Sequence, residues 1–235
     1  MIAAPLVFSG TQLWATPPGA LWWPDESTLL VADLHLEKGS SLSRRGALLP
    51  PYDTAATLAA LGHLIDALLP RRVVCLGDSF HDAGGPDRLC TDDAARLQRL
   101  ARGREWWWII GNHDGGAACL AGLPGDVTTE APLGPLVLRH QARSEAVTGE
   151  ISGHFHPKAR VSVRGGSIVG RCFVGDAKRL ILPAFGAYTG GLDVFHPAIA
   201  ALFDPTFAVW LLGRTGVHFL ASHRLRRPPD RLVWA

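Results

Sequence analysis

The sequence predicts an α/β fold, a four-layer-type α/β sandwich in which two mixed β-sheets are flanked by helices. Three observations predict it. Apolar runs alternate with helical patterns between residues 27 and 113, the signature of an α/β sheet with ligands beyond the carboxyl ends of its strands. After Gly134 the chain changes to short apolar strands broken by Gly and Pro, enough for a second sheet packed on the first. Several of these runs end in small clusters built from Asp, His and Asn.

Taken in order, residues 1–31 begin with a short β-rich lead-in, in which Trp22-Trp23 before Pro24-Asp25 read as a loop. Ser27 to Ala32 is a buried strand that delivers Asp33. Asp53 is placed to cap a helix whose Leu58, Leu61, Ile65 and Leu68 fall at helical spacing, and Pro70-Arg71-Arg72 ends it. Val73 to Leu76 is the next strand and delivers Asp78. Asp92 or Asp93 opens a second helix reaching about Arg102. Trp106 to Ile110 is a strand buried on both faces, which delivers Asn112 and His113. The second sheet is expected from Leu136–Arg139, Val147–Ser152, Arg160–Val163, Arg179–Leu182, Ala198–Phe203 and Phe207–Leu212.

Composition narrows the class. With 235 residues and 47% hydrophobic content, the chain is expected to form one large domain, residues 1–235, with a sizeable core. Its apolar stretches are too short for a membrane span of about 20 residues, and no charged n-region precedes an apolar core at Met1, so neither a membrane nor secretion is expected. Cys75, Cys90, Cys119 and Cys172 lack Cys-x-x-Cys spacing and read as reduced thiols of a cytoplasmic protein. Net charge is only +2, so overall basicity does not argue for nucleic acid. Twenty arginines against Lys38, Lys158 and Lys178 make up the positive charge, a bias that compositional drift alone would explain.

The chemistry lies in Asp33-Leu34-His35, Gly77-Asp78, Gly111-Asn112-His113-Asp114, His140 and Gly153-His154-Phe155-His156. Their side chains ligate divalent metals through carboxylate or amide oxygen and imidazole nitrogen. Asp33 and His35, two apart, share a face if the strand persists. Asp78 can bridge two ions with its two oxygens, and Gly77 lets the backbone turn sharply beside it. Burying so many Asp and His together without a cation would be costly. His63, His196, His218 and His223 carry no such pattern and read as ordinary core or surface residues.

In this order the motifs resemble the calcineurin-like metallophosphoesterase superfamily, D-x-H, G-D, G-N-H-D/E, H and G-H-x-H. The resemblance covers roughly residues 28–157, and departs from many members at Arg139-His140, where Gly-His is common. It implies one metal on Asp33, His35, Asp78 and His156, and a second on Asp78, Asn112, His140 and His154. It makes His113 the catalytic residue at the scissile phosphate, with Asp114 orienting its ring. It further implies hydrolysis by water activated between two divalent cations, manganese by preference, with Fe, Zn or Co chemically possible.

A narrower resemblance lies between and after the ligands. Asp33 to Ser41, Arg44-Arg45-Gly46, Leu49 to Thr54, Gly77 to Asp82, Gly149 to Pro157 and Leu182 to Gly191 look like the bacterial ligase-associated DNA-damage-response endonuclease family. That similarity implies a phosphodiesterase on DNA, with an ATP-dependent DNA ligase, a helicase and an exonuclease as partners. Lys38, Arg44 and Arg45, close after the first motif, are candidate phosphate contacts; His81, just past Asp78, is a candidate substrate contact. The tail arginines Arg224, Arg226, Arg227 and Arg231 read as solvated, with backbone contact to a nucleic acid as the alternative. Two other functions remain open: the same chemistry on a small cyclic nucleotide or nucleotide diester, and an inactive scaffold that keeps the fold.

Overall fold

The structure, a computed structural model, describes residues 2–47, 49–145 and 147–228. Arg231 lies outside the described residues. In chain order come β1 (Ala4–Phe8), β2 (Thr11–Ala15), β3 (Leu21–Trp23), β4 (Thr28–Val31), α1 (Lys38–Arg44), α2 (Asp53–Leu68) and β5 (Arg72–Leu76). Then follow α3 (Gly85–Arg88), α4 (Thr91–Ala101), β6 (Glu105–Ile109), α5 (Ala117–Leu120), β7 (Asp126–Thr128), β8 (Glu130–Leu133), β9 (Leu136–Arg139) and β10 (Glu150–Ser152). The chain continues through β11 (Lys158–Val163), β12 (Gly166–Gly175), β13 (Arg179–Ile181), α6 (Pro197–Ala200), β14 (Ala208–Leu212) and β15 (Val217–Ala221).

The first sheet runs β1-β2-β3-β4-β5-β6-β7, antiparallel as far as β4 and parallel from there to β7. The second runs β15-β14-β12-β13-β10-β9-β8, with β11 paired to β12, and is also mixed, since β9, β10 and β13 are mutually parallel. Alternation along the central strands explains the sandwich. Leu30, Val74, Leu76 and Ile109 face the inner layer, where they meet Leu138, Ile151, Phe173 and Leu180 of the second sheet. Leu29, Val31, Val73, Cys75, Trp106 and Trp108 face outward under Leu58, Leu61 and Ile65 of α2 and Leu97 of α4. β4, β5 and β6 therefore have both faces covered, which is why their sequences are nearly continuous apolar runs. The outer face of the second sheet is covered more thinly, by α6 and loop side chains such as Val194 and Phe207.

Three expectations are corrected. Ala198–Phe203 is not a strand: Pro197 starts α6, and the His196 side chain caps it by accepting from the Ala198 N–H (3.2 Å), so local capping overrides the apolar β pattern. Asp53 does not cap α2. It is the first helical residue, and its carboxylate accepts from the Gly39 N–H (3.1 Å), which ties the start of α2 to the start of α1. Trp22 and Trp23 lie in β3 rather than a loop, with Trp22 opposite Trp14 of β2 and Trp23 buried. All four cysteines are free. Among the described residues, no helix is long and apolar enough to cross a membrane.

Candidate metal centre

The carboxyl ends of β4, β5 and β6 and the segments after β9 and β10 converge on one site. The chain beyond β4 runs beside the chain beyond β5. Asp33 N–H donates to Gly77 O (3.2 Å), His35 N–H to Asp78 O (2.9 Å) and Leu36 N–H to Ser79 O (2.9 Å). These segments are not extended. Asp33, His35 and Asp78 have φ of 52°, 43° and 45°, and His154 and His156 have 72° and 48°. Asp33 and His35 thus do not share a face of a persisting strand, as the sequence suggested. Left-handed turns, uncommon for non-glycine residues and held here by bonds from neighbouring segments, aim them inward.

Asp33 and Asp78 are buried at the centre. Asp33 accepts the His154 N–H through both oxygens (2.9 and 3.1 Å), and Asp78 accepts the His113 N–H (2.9 Å). Around Asp33, His156 Nε2 is 3.5 Å from the carboxylate and 3.3 Å from His35 Nε2. Around Asp78, His140 Nε2 lies 3.4 Å from the carboxylate, 3.1 Å from His154 Nδ1 and 3.0 Å from Asn112 Oδ1. Asp33, His35 and His156 form one group able to hold a cation; Asp78, His140 and His154 form a second. His140 follows Arg139 without conflict, because the arginine pairs with Glu130 and Glu150 while the imidazole reaches the site.

The pKa shifts of His35, His154 and Asp78 suit ligation. Burial, helped by the neighbouring His156, lowers the His35 pKa to about 3, so its ring is neutral at pH 7. Burial also lowers His154. Burial would raise Asp78, but its hydrogen bond and charge interaction with His140 prevail and hold it at about 2. For His140 burial acts downward, and the Asp78 hydrogen bond and Asp33 charge overcome it, raising the pKa. Its Nδ1–H donates to Leu76 O (3.0 Å) when Nε2 serves as ligand, the backbone contact that fixes a ligating tautomer.

The donor set fits divalent cations: two buried carboxylates, an amide oxygen and facing imidazole nitrogens, without thiolate. Nitrogens that face each other at 3.1 and 3.3 Å can hydrogen-bond only if one carries a proton, whereas a shared cation satisfies both.

Other expected residues divide. His113 lies at the edge of the site, its side chain 41% exposed, with Nε2 4.0 Å from Asp78. Asp114 does not orient the His113 ring. It accepts from Phe80 N–H (3.0 Å) and Gly111 N–H (2.8 Å), bracing the turn, while His113 Nδ1 lies 2.9 Å from His81 O. The sequence offered no signal for that exchange of partners. Lys38 opens α1 and is half-buried, while Arg44 and Arg45 close α1 in the open. Burial lowers the His81 pKa, and the charges of Lys38 and Arg45 add to it, so α1 turns positive charge towards His81. His81 also stands nearer the centre than expected: it stacks on His113 (5.5 Å) and joins His35 and His113 in a third potential ligand group. Arg224, Arg226 and Arg227 are exposed, with Arg227 over the Phe195 ring at 4.6 Å.

Gly77 is one of the tight backbone positions of the site. Its φ is +77°, and a Cβ there would enter the His140 ring. Gly77→Ala is expected to lower stability by about 1–3 kcal/mol through overpacking and to weaken metal binding by displacing His140. Urea unfolding and calorimetric manganese titration of the variant check this.

The calcineurin-like phosphoesterase family profile matches residues 27–160, which contain every expected ligand. Among solved structures, the nuclease MPE of Pseudomonas putida superposes with a TM-score of 0.73 at 29% identity, over 93% of this chain and all (100%) of that one. The phosphoesterase Yfce of E. coli gives a TM-score of 0.41 at 13% identity, over 83% of this chain and 98% of that one. Among curated proteins none matches. With the matched span covering more than half of the sequence and folding its Asp and His motifs into adjoining cation-binding groups, the chain belongs to the calcineurin-like phosphoesterase family and is a metal-dependent phosphoesterase.

Proposed function

We propose that this protein is a two-metal phosphodiesterase that cuts DNA during repair. The observation that carries the reading is the Asp78 carboxylate, which stands between the two ligand groups, 3.9 Å from His35 Nε2 and 3.4 Å from His140 Nε2. Asp33, His35, Asp78 and His156 would hold one cation, and Asp78, Asn112, His140 and His154 the other. When bound, two divalent cations supply a water of lowered pKa and neutralise charge on the phosphate. The chain's own part is positional. With Nδ1–H donating to the His81 carbonyl, His113 keeps Nε2 free to hydrogen-bond a phosphate oxygen or give a proton to the leaving oxygen. Asp114 keeps the turn that carries His113 in shape. Lys38, Arg44, Arg45 and His81 are assigned to phosphates beside the scissile one.

Support for a polymer comes from the open edge at Asn112 and His113, both exposed, and from the 29% identity to a nuclease along nearly the whole chain. Resemblance to the calcineurin-like superfamily supports manganese, the free cysteines support a cytoplasmic location, and resemblance to the bacterial ligase-associated endonuclease family supports an ATP-dependent DNA ligase, a helicase and an exonuclease as partners. The test is hydrolysis of bis-p-nitrophenyl phosphate against p-nitrophenyl phosphate with manganese, followed by single-stranded DNA. The diester is expected to be preferred. His113→Ala is expected to reduce turnover by about 10²–10⁴-fold while manganese still binds. Preference for the monoester, or full activity without His113, would overturn the reading.

A further inference from the structure

The segment Leu182 to Gly191, read in the sequence as part of a family resemblance, has no role in metal binding. Its loop is fastened at both ends to the two Asp/His motifs. At the entry, Phe185 N–H donates to Ala32 O (2.8 Å) and Gly186 N–H to Asp33 O (3.2 Å). At the exit, Leu192 N–H donates to Phe155 O (3.3 Å), and Gly191 packs so closely on the His156 carbonyl that a Cβ would not fit. Tyr188 therefore sits two residues from a backbone contact to Asp33 and three from one to His156. It is 46% exposed and has φ 59°, an unfavourable conformation for a tyrosine that packs no core.

Beneath this loop lies a cleft of about 270 Å³ between α2 and the loop, lined by Ala60, Thr57, Phe185, Tyr188, Thr189 and Arg171 among others. It combines apolar side chains with unused polar capacity. Arg171 donates to Ala184 O (2.7 Å) and Pro18 O (3.4 Å), which leaves guanidinium N–H groups over. Thr57 Oγ1 accepts from Ala187 N–H (3.0 Å), so its own proton is free to donate. Thr189 donates to Gly186 O (2.9 Å), so its oxygen is free to accept. An aromatic ring, apolar walls, and donors and acceptors at the edge are the complement of a nucleobase.

We infer that this cleft takes one unstacked base of the polynucleotide beside the scissile phosphate, with Tyr188 as its stacking ring. The inference rests on the phosphodiesterase reading above and adds a base subsite to it. The required state is single-stranded or locally unpaired nucleic acid, because a paired base cannot leave its stack without cost.

The test measures binding of metal-free, full-length protein to a fluorescein-labelled oligothymidylate and to an equally long oligomer of abasic residues. Wild type is expected to bind the base-bearing strand about 10-fold more tightly. Tyr188→Gly, which relieves the left-handed strain instead of adding to it, is expected to lose that preference, and Tyr188→Phe to keep it. With manganese, the glycine variant is expected to lose about 10-fold more kcat/KM on the oligonucleotide than on bis-p-nitrophenyl phosphate. An equal affinity of wild type for both strands, or a preference that survives in Tyr188→Gly, would overturn the base subsite alone. Failure of wild type to bind either strand would instead overturn the polynucleotide reading, and the base subsite with it.

Discussion

Asp78→Asn is expected to reduce manganese-dependent diester hydrolysis by about 10³-fold or more. Its side chain is 3% exposed, and its carboxylate stands within 4 Å of imidazoles from both ligand groups. An asparagine keeps the shape and one oxygen but loses the charge, and turns an NH₂ donor towards imidazoles or a cation. On the proposed two-cation reading, the remaining ligands would hold each cation separately, without a shared anion to offset their repulsion. A loss of several kcal/mol of transition-state stabilisation corresponds to the quoted factor, at about 1.4 kcal/mol per tenfold. The fold is expected to persist, because the backbone bonds Asp33–Gly77 and His35–Asp78 do not involve the side chain. Steady-state kinetics on bis-p-nitrophenyl phosphate, circular dichroism and calorimetric manganese titration read the three quantities. Activity near that of the wild type would show that Asp78 bridges nothing.

The second large effect concerns stability. Glu150 is fully buried in β10, between Arg139 of β9 (Nε 3.3 Å) and Arg179 of β13 (Nε 3.7 Å), and also accepts the Arg143 N–H (3.0 Å). Arg139 and Arg179 are themselves buried. Glu130 (3.2 Å from Arg139) is a half-exposed second partner, and Arg179 otherwise donates to Arg143 O (2.9 Å). Glu150→Ala leaves two buried guanidinium groups without their shared anion and is expected to cost about 3–5 kcal/mol. Against a total of about 5–15 kcal/mol, that is a large share of the stability. Because β9 and β10 deliver His140 and His154, activity would be lost with the fold at moderate urea concentrations. Equilibrium urea unfolding decides: a change below about 1 kcal/mol would mean that water or Glu130 replaces the lost carboxylate.

Much of this molecule is legible without coordinates where the signal is local and periodic. Val73 to Leu76 reads as a strand and Trp106 to Ile110 as a strand buried on both faces, and β5 and β6 are both covered on each side, with alternate residues shared between the two apolar layers. Leu58, Leu61 and Ile65 read as one helical face, and they cover the first sheet from α2. Where local signals compete, reading fails. Ala198–Phe203 has strand-like composition, yet a proline and a capping histidine turn its first residues into α6. Arg139, Glu150 and Arg179 give no sequence sign of being partners, because their meeting depends on the parallel register of β9, β10 and β13.

The site divides in the same way. The identity and order of the Asp, His and Asn motifs follow from the sequence alone, since ligand chemistry belongs to residue type and the motifs keep their spacing wherever the chain goes. How they meet is decided by tertiary structure. Left-handed turns at Asp33, His35, Asp78, His154 and His156, the loss of the Asp114–His113 contact to the Gly111 turn, and the entry of His81 into the imidazole cluster depend on bonds from distant segments. Each of these conformations is unfavourable or unforeseen locally, and it stands because several backbone and carboxylate hydrogen bonds from other strands act on it at once.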